Sequence, residues 1–347
     1  MDLDIDTVRI ARTRADCVLR PGEAFLGGGT SLYSEPVPAG VTGLVDLTGL
    51  GWEPWSMDGS GLRVSGTCTL AELEAGPGAL GGAGAVGGAG SFGGPGSLAG
   101  RGSLGGPAGA AGPYRALGIV GECVSALSLS AKVARVATVG GNLALGLPAG
   151  SMIGLFAALD ARAVVWTPNG GSAAAGSREV AVADLITGAG VAALAPGEVL
   201  REVRVPGPVL GQRTVFRRAS LTPTGRTAAM VTGRALPGGG GSGRSGDGGR
   251  GDGPGRVLLV LSGSVPRPVL AELAPGEHDR LDRLIDAIDA ASAADTADVA
   301  GANGVAETAG GAGDVGWYED THGSVAWRAA MTRRLAHEAL EELGGAA

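Results

Sequence analysis

The sequence has few cysteines and no basic run, and each shortage excludes a class of site or partner. Its three cysteines, Cys17, Cys68 and Cys123, lie far apart and form no Cys-X-X-Cys pair. This spacing excludes an iron–sulfur or zinc site made from the cysteines of this chain alone, and so few thiols are typical of the reducing cytoplasm. Because the net charge is −7 without a basic cluster, we expect no nucleic-acid partner.

The sequence also lacks an apolar run that is suited to a membrane. Residues 136–159 carry no charge and are long enough to span a bilayer, but glycines and Pro148 interrupt them. This pattern favours a buried loop that leads into a short helix from about Met152. Residues 1–6 are acidic, unlike the basic start of a secretory signal. We therefore expect neither a membrane span nor a leader, and a cytoplasmic protein.

Glycine, by contrast, is abundant, with 67 residues that are concentrated in a few segments. Residues 76–112 form a degenerate hexapeptide repeat, several copies of which match the nucleotide-binding pattern G-x-G-x-x-G. That pattern requires a strand before it and a helix after it, and neither is present here. We predict a flexible surface insertion at 76–112, with a repeat solenoid as the alternative. Residues 237–255 and 293–316 have similar compositions and are predicted to be mobile.

Two shorter glycine segments carry the chemical signal. The first glycine segment, residues 27–31, reads Gly-Gly-Gly-Thr-Ser, and the second glycine segment, residues 138–142, reads Thr-Val-Gly-Gly-Asn. Each follows an apolar or β-branched run, at 24–26 and 133–137, so each is predicted to end a strand in a turn with bare N–H groups. Glycine lets an anion approach those donors, and the hydroxyl and amide side chains add hydrogen bonds. Together the segments could hold the two phosphates of a dinucleotide.

Hydrophobic periodicity predicts strands that alternate with helices, and then a second region that begins near residue 211. In the first region, strands are predicted at 43–47, 62–66 and 163–166, and helices at 69–73, 117–129 and 152–159. Thr69 and Glu72 match a capping box at the start of the first of these helices. The second region has predicted strands at 214–218, 228–235 and 257–261 and helices at 281–290 and 325–343. We expect a smaller α+β domain there, packed on the first.

Several charged and titratable residues are predicted to be ordinary surface residues. Arg328, Arg333 and Arg334 are assigned to the exposed face of the last helix. The three histidines, His278, His322 and His337, are assigned to the surface because they lack the spacing of metal ligands. No Ser, His or carboxylate arrangement indicates a hydrolase or a metal centre.

Five segments resemble the FAD-binding subunit of the molybdenum hydroxylases, the family of xanthine dehydrogenase and carbon monoxide dehydrogenase. Residues 26–32 resemble the first flavin loop of that family, and residues 45–47 resemble its V-D-L strand. The most specific match is Val-Ala-Thr-Val-Gly-Gly-Asn-Leu-Ala at 136–144, which resembles the family's N-V-A-T-I-G-G-N-L-A loop. Residues 216–218 resemble an aromatic-plus-basic strand start, and residues 327–335 resemble a Y-R-x-x-x-x-x-L helix.

The resemblance implies an α+β fold in two parts. Residues 1–206 would form a two-subdomain FAD-binding α/β domain of the p-cresol methylhydroxylase and carbon monoxide dehydrogenase flavoprotein type. Residues 211–347 would form a C-terminal domain with a three-stranded antiparallel sheet and helices.

The resemblance further implies that FAD is held by both glycine segments, with Arg217 near the flavin and with no catalytic acid or base in this chain. Ser151 stands where the family carries an acid, so FAD affinity or flavin orientation could differ. The residues that the resemblance places around the cofactor are Leu26, Gly27, Gly28, Gly29, Thr30, Ser31, Leu32, Thr138, Val139, Gly140, Gly141, Asn142, Ser151 and Arg217.

The function implied is an oxidoreductase subunit that passes electrons from [2Fe–2S] clusters through FAD to an external acceptor. The implied partners are a molybdopterin-binding large subunit and a [2Fe–2S] small subunit on separate chains. Two alternatives stay open. One is a self-contained FAD-linked oxidase, which would need a larger substrate-binding domain than the second region offers. The other is a non-catalytic scaffold with a decayed FAD site, suggested by Ser151 and by the low-complexity insertion.

Overall fold

The computed structural model describes residues 5–34, 38–81, 112–168, 176–238, 255–298 and 315–345. The predicted insertion at 76–112 lies outside the described residues except at its two ends, as do most of 237–255 and 293–316. At the first of these ends the chain is helical as far as residue 80, with a π turn at Glu74–Gly78, where a flexible segment is predicted. A β-carbon at Gly112 would lie 3.9 Å from the Leu80 carbonyl oxygen, and Gly81 packs against the backbone of Gly118. The chain therefore enters and leaves the undescribed stretch at one place.

A small parallel sheet starts the fold. Its strands are β1 (Thr7–Ile10), β2 (Glu23–Leu26) and β3 (Gly43–Asp46), in the order β1–β3–β2. Leu44 and Val45 of the central strand are buried, as their apolar run predicts. Because the strands are parallel, the carboxyl ends of β2 and β3 meet at one edge, and the first glycine segment follows β2 at that edge.

A second, antiparallel sheet has five strands in the order β4–β5–β10–β6–β7. The strands are β4 (Trp55–Asp58), β5 (Gly61–Ser65), β6 (Arg162–Trp166), β7 (Ser177–Ala181) and β10 (Val199–Pro206). A separate hairpin is formed by β8 (Ile186–Gly188) and β9 (Val191–Ala192). The central strand β10 thus comes last in sequence and joins β5 to β6.

Short helices pack beside this sheet. They are α1 (Leu70–Leu73), α2 (Val120–Ala126), α3 (Ala131–Ala134), α4 (Val139–Leu145), α5 (Ser151–Ala158) and α6 (Val182–Leu185). The predicted capping box is confirmed: Thr69 Oγ1 accepts from the amide of Glu72 (3.2 Å), and the Glu72 carboxylate accepts from the amide of Thr69 (2.8 Å). Every residue of α5 is buried. Among the helices that the structure describes, none is long and apolar enough to cross a membrane.

The second region is an antiparallel sheet covered by two long helices. After α7 (Gly207–Leu210), the sheet contains β11 (Thr214–Ala219), β12 (Ala229–Leu236), β13 (Arg256–Ser262) and β14 (Val269–Leu273), in sequence order. The helices are α8 (His278–Asp298) and α9 (Val325–Gly344). The fourth strand, β14, exceeds the three that the resemblance implies, and its alternating burial is the period-two pattern of an amphipathic strand.

Helix α5 lies between the two regions. Thr232 Oγ1 of β12 donates a hydrogen bond to the carbonyl of Gly154 (2.8 Å), and the Met230 side chain packs against the same glycine. Phe216 of β11 also reaches the core of the first region. A helix that contacts apolar groups on all sides is apolar all round, which explains the uncharged sequence of 151–158.

The prediction that Arg328 lies on the surface is wrong. Its side chain is 1 % exposed, and its guanidinium donates to three main-chain carbonyls: Ala228 (2.7 Å), Gly263 (2.6 Å) and Gly323 (2.9 Å). Asp320 completes the site with an ion pair. These acceptors are scattered over about a hundred residues of sequence, so the helical pattern alone shows only a charge. Of the other two predicted surface arginines, Arg333 is part-exposed and Arg334 is exposed, and both pair with carboxylates.

Candidate functional site

The structure brings the two glycine segments into direct contact. The α-carbon of Gly28 lies against the main-chain carbonyl of Val136, where a β-carbon would overlap the oxygen. A β-carbon at Gly27 would lie 3.0 Å from Thr138 Oγ1. Only glycine permits two backbones to approach so closely. Gly27 and Gly28 therefore allow contact between two segments that are about 110 residues apart in sequence.

The first glycine segment presents unused hydrogen-bond donors. Strand β2 ends at Leu26, and Gly29 adopts the left-handed conformation with φ +70°. A turn closes behind it, where the Tyr33 amide donates to the Gly29 carbonyl (2.9 Å). Within the described part of the chain, no residue accepts a hydrogen bond from the amides of residues 28–32. Such a row of amides after a parallel strand is a typical anion-binding concavity.

The second glycine segment is not the strand-ending turn that its sequence predicts. The preceding run, 133–137, is partly helical, because Ser130 caps α3 by accepting from the amide of Val133 (3.3 Å). Thr138 then caps α4, and its Oγ1 accepts from the amide of Gly141 (3.0 Å). The β-branched residues in 133–137 favour a strand locally, but the two caps favour helical turns.

The prediction that the second segment has bare amides is also wrong. The Val139 amide donates to Cys68 (2.8 Å), and the Gly140 amide donates to Gly66 (2.9 Å), both on the turn after β5. The Asn142 amide donates to the Thr138 carbonyl (3.0 Å). With the cap bond to Gly141, all four amides from 139 to 142 are bonded inside the chain.

What the second segment offers is side-chain chemistry. The Asn142 carboxamide oxygen is buried, and no described residue gives it a hydrogen bond. The hydroxyl of Thr138, which is 4 % exposed, lies between Gly27 and Gly141. An unpaired buried carbonyl costs about 1–3 kcal/mol, so the orphaned oxygen of Asn142 is an expected feature of a site whose ligand supplies a donor.

Two predicted site residues have side chains that are bonded elsewhere. Ser151 follows Gly150, which lies beside the Asn142 carboxamide oxygen, but its own hydroxyl is fully buried and donates to the Cys123 carbonyl in the core (2.5 Å). Arg217 lies on β11 with its guanidinium paired to Glu342 of α9. Its neighbour Phe216 packs into the core of the first region, and successive strand residues face opposite sides. Arg217 therefore faces the helical layer of the second region.

The first glycine segment also brings Tyr33 to the site, a residue that the sequence analysis did not single out. Its ring packs against Gly29, and the residue is 46 % exposed. The signal was available in the sequence, since aromatic residues make up only 3 % of the chain and Tyr33 follows directly after Leu32. Its position supports the conformation of the glycine turn.

Two of the histidines form an unexpected pair. His278 and His337 stack with ring planes 4° apart, and their Nδ1 atoms are 2.7 Å apart. The other ring nitrogen of His337 lies 2.9 Å from Asp282. The sequence analysis missed this pair because the two residues are separated by 59 positions. In the described ranges no group of three or more potential ligands could hold a metal ion.

The cysteines offer no nucleophile. All three are free and buried. Burial raises the pKa of the Cys68 thiol to about 12 and also raises the pKa values of Cys17 and Cys123. They therefore remain protonated thiols at neutral pH.

The fold and the two contacting glycine segments define a cofactor-binding protein of mixed helix and sheet, with an anion-binding turn at the carboxyl end of a parallel strand. The family described as "FAD binding domain in molybdopterin dehydrogenase" matches residues 10–208, more than half of the chain. The chain belongs to this family of oxidoreductase domains, and its cofactor is FAD. The resemblance that the motifs indicate is therefore confirmed.

Solved structures with the same fold cover nearly the whole chain. Carbon monoxide dehydrogenase from Hydrogenophaga pseudoflava, which lacks the Mo-pyranopterin moiety of its cofactor, matches at 17 % identity over 99 % of this chain and 98 % of that chain (TM-score 0.64). Quinoline 2-oxidoreductase from Pseudomonas putida 86 matches at 18 % identity over 99 % and 100 % (TM-score 0.62). Carbon monoxide dehydrogenase from Oligotropha carboxidovorans matches at 19 % identity over 99 % and 98 % (TM-score 0.64). They confirm the predicted α+β fold. No curated protein gives a significant match.

Proposed function

We propose that this chain is the flavoprotein subunit of a molybdenum hydroxylase and passes electrons from [2Fe–2S] clusters to an external acceptor. The observation that carries the proposal is the contact of the two glycine segments beside the unpaired amides of residues 28–32. When bound, FAD supplies the redox chemistry, and the protein supplies binding, orientation and electrostatics.

The first glycine segment would hold the diphosphate of the cofactor. The amides of residues 28–32 donate to phosphate oxygens, and the hydroxyls of Thr30 and Ser31 add further donors. Leu26 and Leu32 flank this row and give it an apolar border. Gly28 keeps the row close to Val136, because any side chain would force the two backbones apart.

The second glycine segment would contribute through its side chains rather than through its backbone. The carboxamide of Asn142 can accept from a hydroxyl group of the ribityl chain, which satisfies the orphaned oxygen. The Thr138 hydroxyl accepts from the Gly141 amide and keeps its own proton for donation. We leave Ser151 and Arg217 out of this set, since both side chains are engaged elsewhere.

The clusters and the pterin would reside on other polypeptides. The cysteines of this chain are buried thiols, and the part of the chain that the structure describes contains no set of metal ligands. We therefore place the iron–sulfur clusters on a [2Fe–2S] small subunit and the molybdenum on a molybdopterin-binding large subunit. The similarity to a Cu,Mo carbon monoxide dehydrogenase supports this assignment.

The scaffold alternative also has one observation in its favour, the internal bonding of the amides of 139–142. A titration of flavin-free protein separates the two functions. We expect FAD to quench the fluorescence of the protein on binding. FMN, which lacks the second phosphate, should bind at least about tenfold more weakly. Equal affinity for FAD and FMN would refute the diphosphate cradle, and no binding of either would favour the scaffold. Rapid bleaching of bound flavin by a reduced [2Fe–2S] subunit, followed by stopped flow, tests the electron transfer.

A further inference from the structure

The turn between α2 and α3 meets the loop that follows β11, and this contact gathers cationic side chains. The Ser128 hydroxyl donates to the Gly225 carbonyl (3.2 Å), and a guanidinium nitrogen of Arg218 lies 3.5 Å from the same oxygen. Arg226 follows Gly225 and is exposed. The single turn of α3, together with the residue that caps its C-terminus, supplies two more exposed cations. The four cations, which we call the basic patch, are Lys132, Arg135, Arg218 and Arg226.

The basic patch lacks the carboxylates that balance other arginines of the chain. Within the described residues, no carboxylate forms an ion pair with any of its four cations. The two stretches of sequence that supply them, residues 123–159 and 203–238, contain no aspartate or glutamate. The Arg218 guanidinium donates instead to the Pro223 carbonyl (3.1 Å) and to the Thr227 hydroxyl (3.4 Å). Because these acceptors are neutral, the charge of Arg218 stays uncompensated.

A neighbouring helix brings two carboxylates towards the basic patch without neutralising it. Helix α1 packs beside α3 and is followed by Glu74, while Glu72 lies within it. The Glu72 carboxylate accepts from the amide and the hydroxyl of Thr69 (both 2.8 Å). Neither carboxylate pairs with a cation in the described ranges. Four cations against two carboxylates leave a local excess of positive charge on a chain whose net charge is −7.

Exposed apolar side chains accompany these charges. Leu221 is 59 % exposed, Val136 is 47 % exposed and Leu129 is 38 % exposed. Apolar groups surrounded by polar and charged ones are the usual composition of a protein–protein interface. The Val136 carbonyl also lies against Gly28 of the first glycine segment, so the basic patch borders the site that we assign to FAD.

We propose that the basic patch docks the acidic face of a small redox protein, which is the external electron acceptor of this chain. The redox character of that partner rests on the proposed function. The acceptor gains the electrons that the reduced cofactor loses, and the protons of the cofactor pass to water. The patch is small and charged, as in transient electron-transfer complexes, whereas permanent subunit interfaces are larger and more apolar.

Charge complementarity favours a compact acidic protein over a nucleic acid. The positive charge is confined to one patch, and the net negative charge of the whole chain repels a long polyanion. An acidic protein face of matching size meets only the patch and its apolar neighbours. Opposite charges on the two faces would steer the encounter, so binding should weaken as salt is added.

Calorimetric titration with an acidic [2Fe–2S] ferredoxin as the probe tests the proposal. The full chain is used with FAD bound. We expect saturable binding at low ionic strength, and about tenfold or greater weakening in the double variant Lys132→Glu/Arg135→Glu. The matched control is Arg280→Glu/Arg334→Glu, which reverses two exposed arginines on α8 and α9. The control should bind the ferredoxin like the unchanged chain.

Three results would overturn the proposal. The first is the absence of saturable ferredoxin binding. The second is equal weakening in the two double variants, which indicates attraction to overall charge. The third is tighter binding of a basic cytochrome c or of a single-stranded oligonucleotide than of the ferredoxin. If Lys132→Glu/Arg135→Glu loses its flavin, Arg226→Glu on the loop after β11 gives the same test.

The flavin content of the chain separates this proposal from the proposed function. A chain that retains FAD but does not bind the ferredoxin refutes the acidic acceptor and leaves the flavin function intact. A chain that binds the ferredoxin but no FAD refutes the flavin function and leaves the acidic docking face in place.

Discussion

Gly28 and Val136, more than a hundred positions apart in sequence, meet backbone to backbone with no room for a methyl group between them. We expect Gly28→Ala to separate the two glycine segments, to abolish flavin retention and to cost about 1–3 kcal/mol in stability. Flavin absorbance per protein and urea unfolding measure both effects. Gly59→Ala is the control, because a β-carbon at Gly59 would meet open space. Full flavin content in Gly28→Ala would contradict the proposed cradle.

The buried guanidinium of Arg328 gives a prediction about stability. Arg328→Met should destabilise the chain by about 3–5 kcal/mol, because it leaves three carbonyls and the Asp320 carboxylate without their donor. Arg334→Met, which removes an exposed i, i+4 pair, should change the stability far less. Urea unfolding of both variants measures the difference. Similar costs in the two variants would show that Arg328 is not a buried anchor.

The ion pair between Arg9 and Glu23 predicts a dependence of stability on pH. Two hydrogen bonds from Arg9 (2.8 and 2.7 Å) lower the pKa of Glu23 from 4.5 to about 2. Because the folded pKa is the lower one, the stabilisation is present above about pH 4.5 and is lost as the pH falls towards 2.

Melting temperatures of the unchanged chain and of Glu23→Gln, measured between pH 7 and pH 2.5, test this. The difference between the two proteins should be largest at neutral pH and should shrink in acid. A constant difference across this range would refute the coupling.

The buried thiols give a prediction about reactivity. Burial raises the pKa values of Cys68 and Cys123, and Cys17 is also buried, so a thiol reagent at pH 8 should react slowly or not at all with the folded chain. In urea all three cysteines should react at once. Fast labelling of one cysteine in the folded state would reveal local opening around that residue.

The glycine at the centre of α5 gives a prediction about the junction of the two regions. A β-carbon at Gly154 would lie 2.8 Å from the end of the Met230 side chain, 3.1 Å from Ser262 Oγ and 3.3 Å from Thr232 Oγ1. Met230 can move, but the two hydroxyl-bearing strands are fixed. We expect the overpacking in Gly154→Ala to reduce the free energy of unfolding by about 1–3 kcal/mol and so to lower the melting temperature. Met230→Ala in the same chain should restore part of the loss.

Local signals in the sequence predict much of the fold. The capping box of Thr69 and Glu72 and the apolar runs of β3 and β13 need no distant partner, and all three are confirmed. The contact between the glycine segments was also predictable, because the order and type of residues in both loops match one family. The fourth strand, β14, also has the alternating pattern of a strand.

The environments that the sequence does not show belong to residues whose partners are far away in sequence. Ser151 donates to a carbonyl on α2, and Arg328 donates to carbonyls on two other turns, so neither environment is visible in a local pattern. The second glycine segment misled the strand prediction, since two helix caps outweigh its β-branched residues. The placement of Arg63, Arg204 and Arg162 side by side depends on the register of three strands that are not consecutive in sequence.

Helix α9 covers β11, β12 and β13, and its residues Ala336 and Leu340 complete the core around Val231 and Leu259. On the ribosome, all four strands of that sheet are made before this helix. The nascent chain therefore carries an apolar sheet face that α8 alone covers only in part, until residues 325–344 emerge and Arg328 reaches its carbonyls. During that interval the exposed apolar surface can bind chaperones or aggregate, so the rate of synthesis sets how long this region is at risk of aggregation.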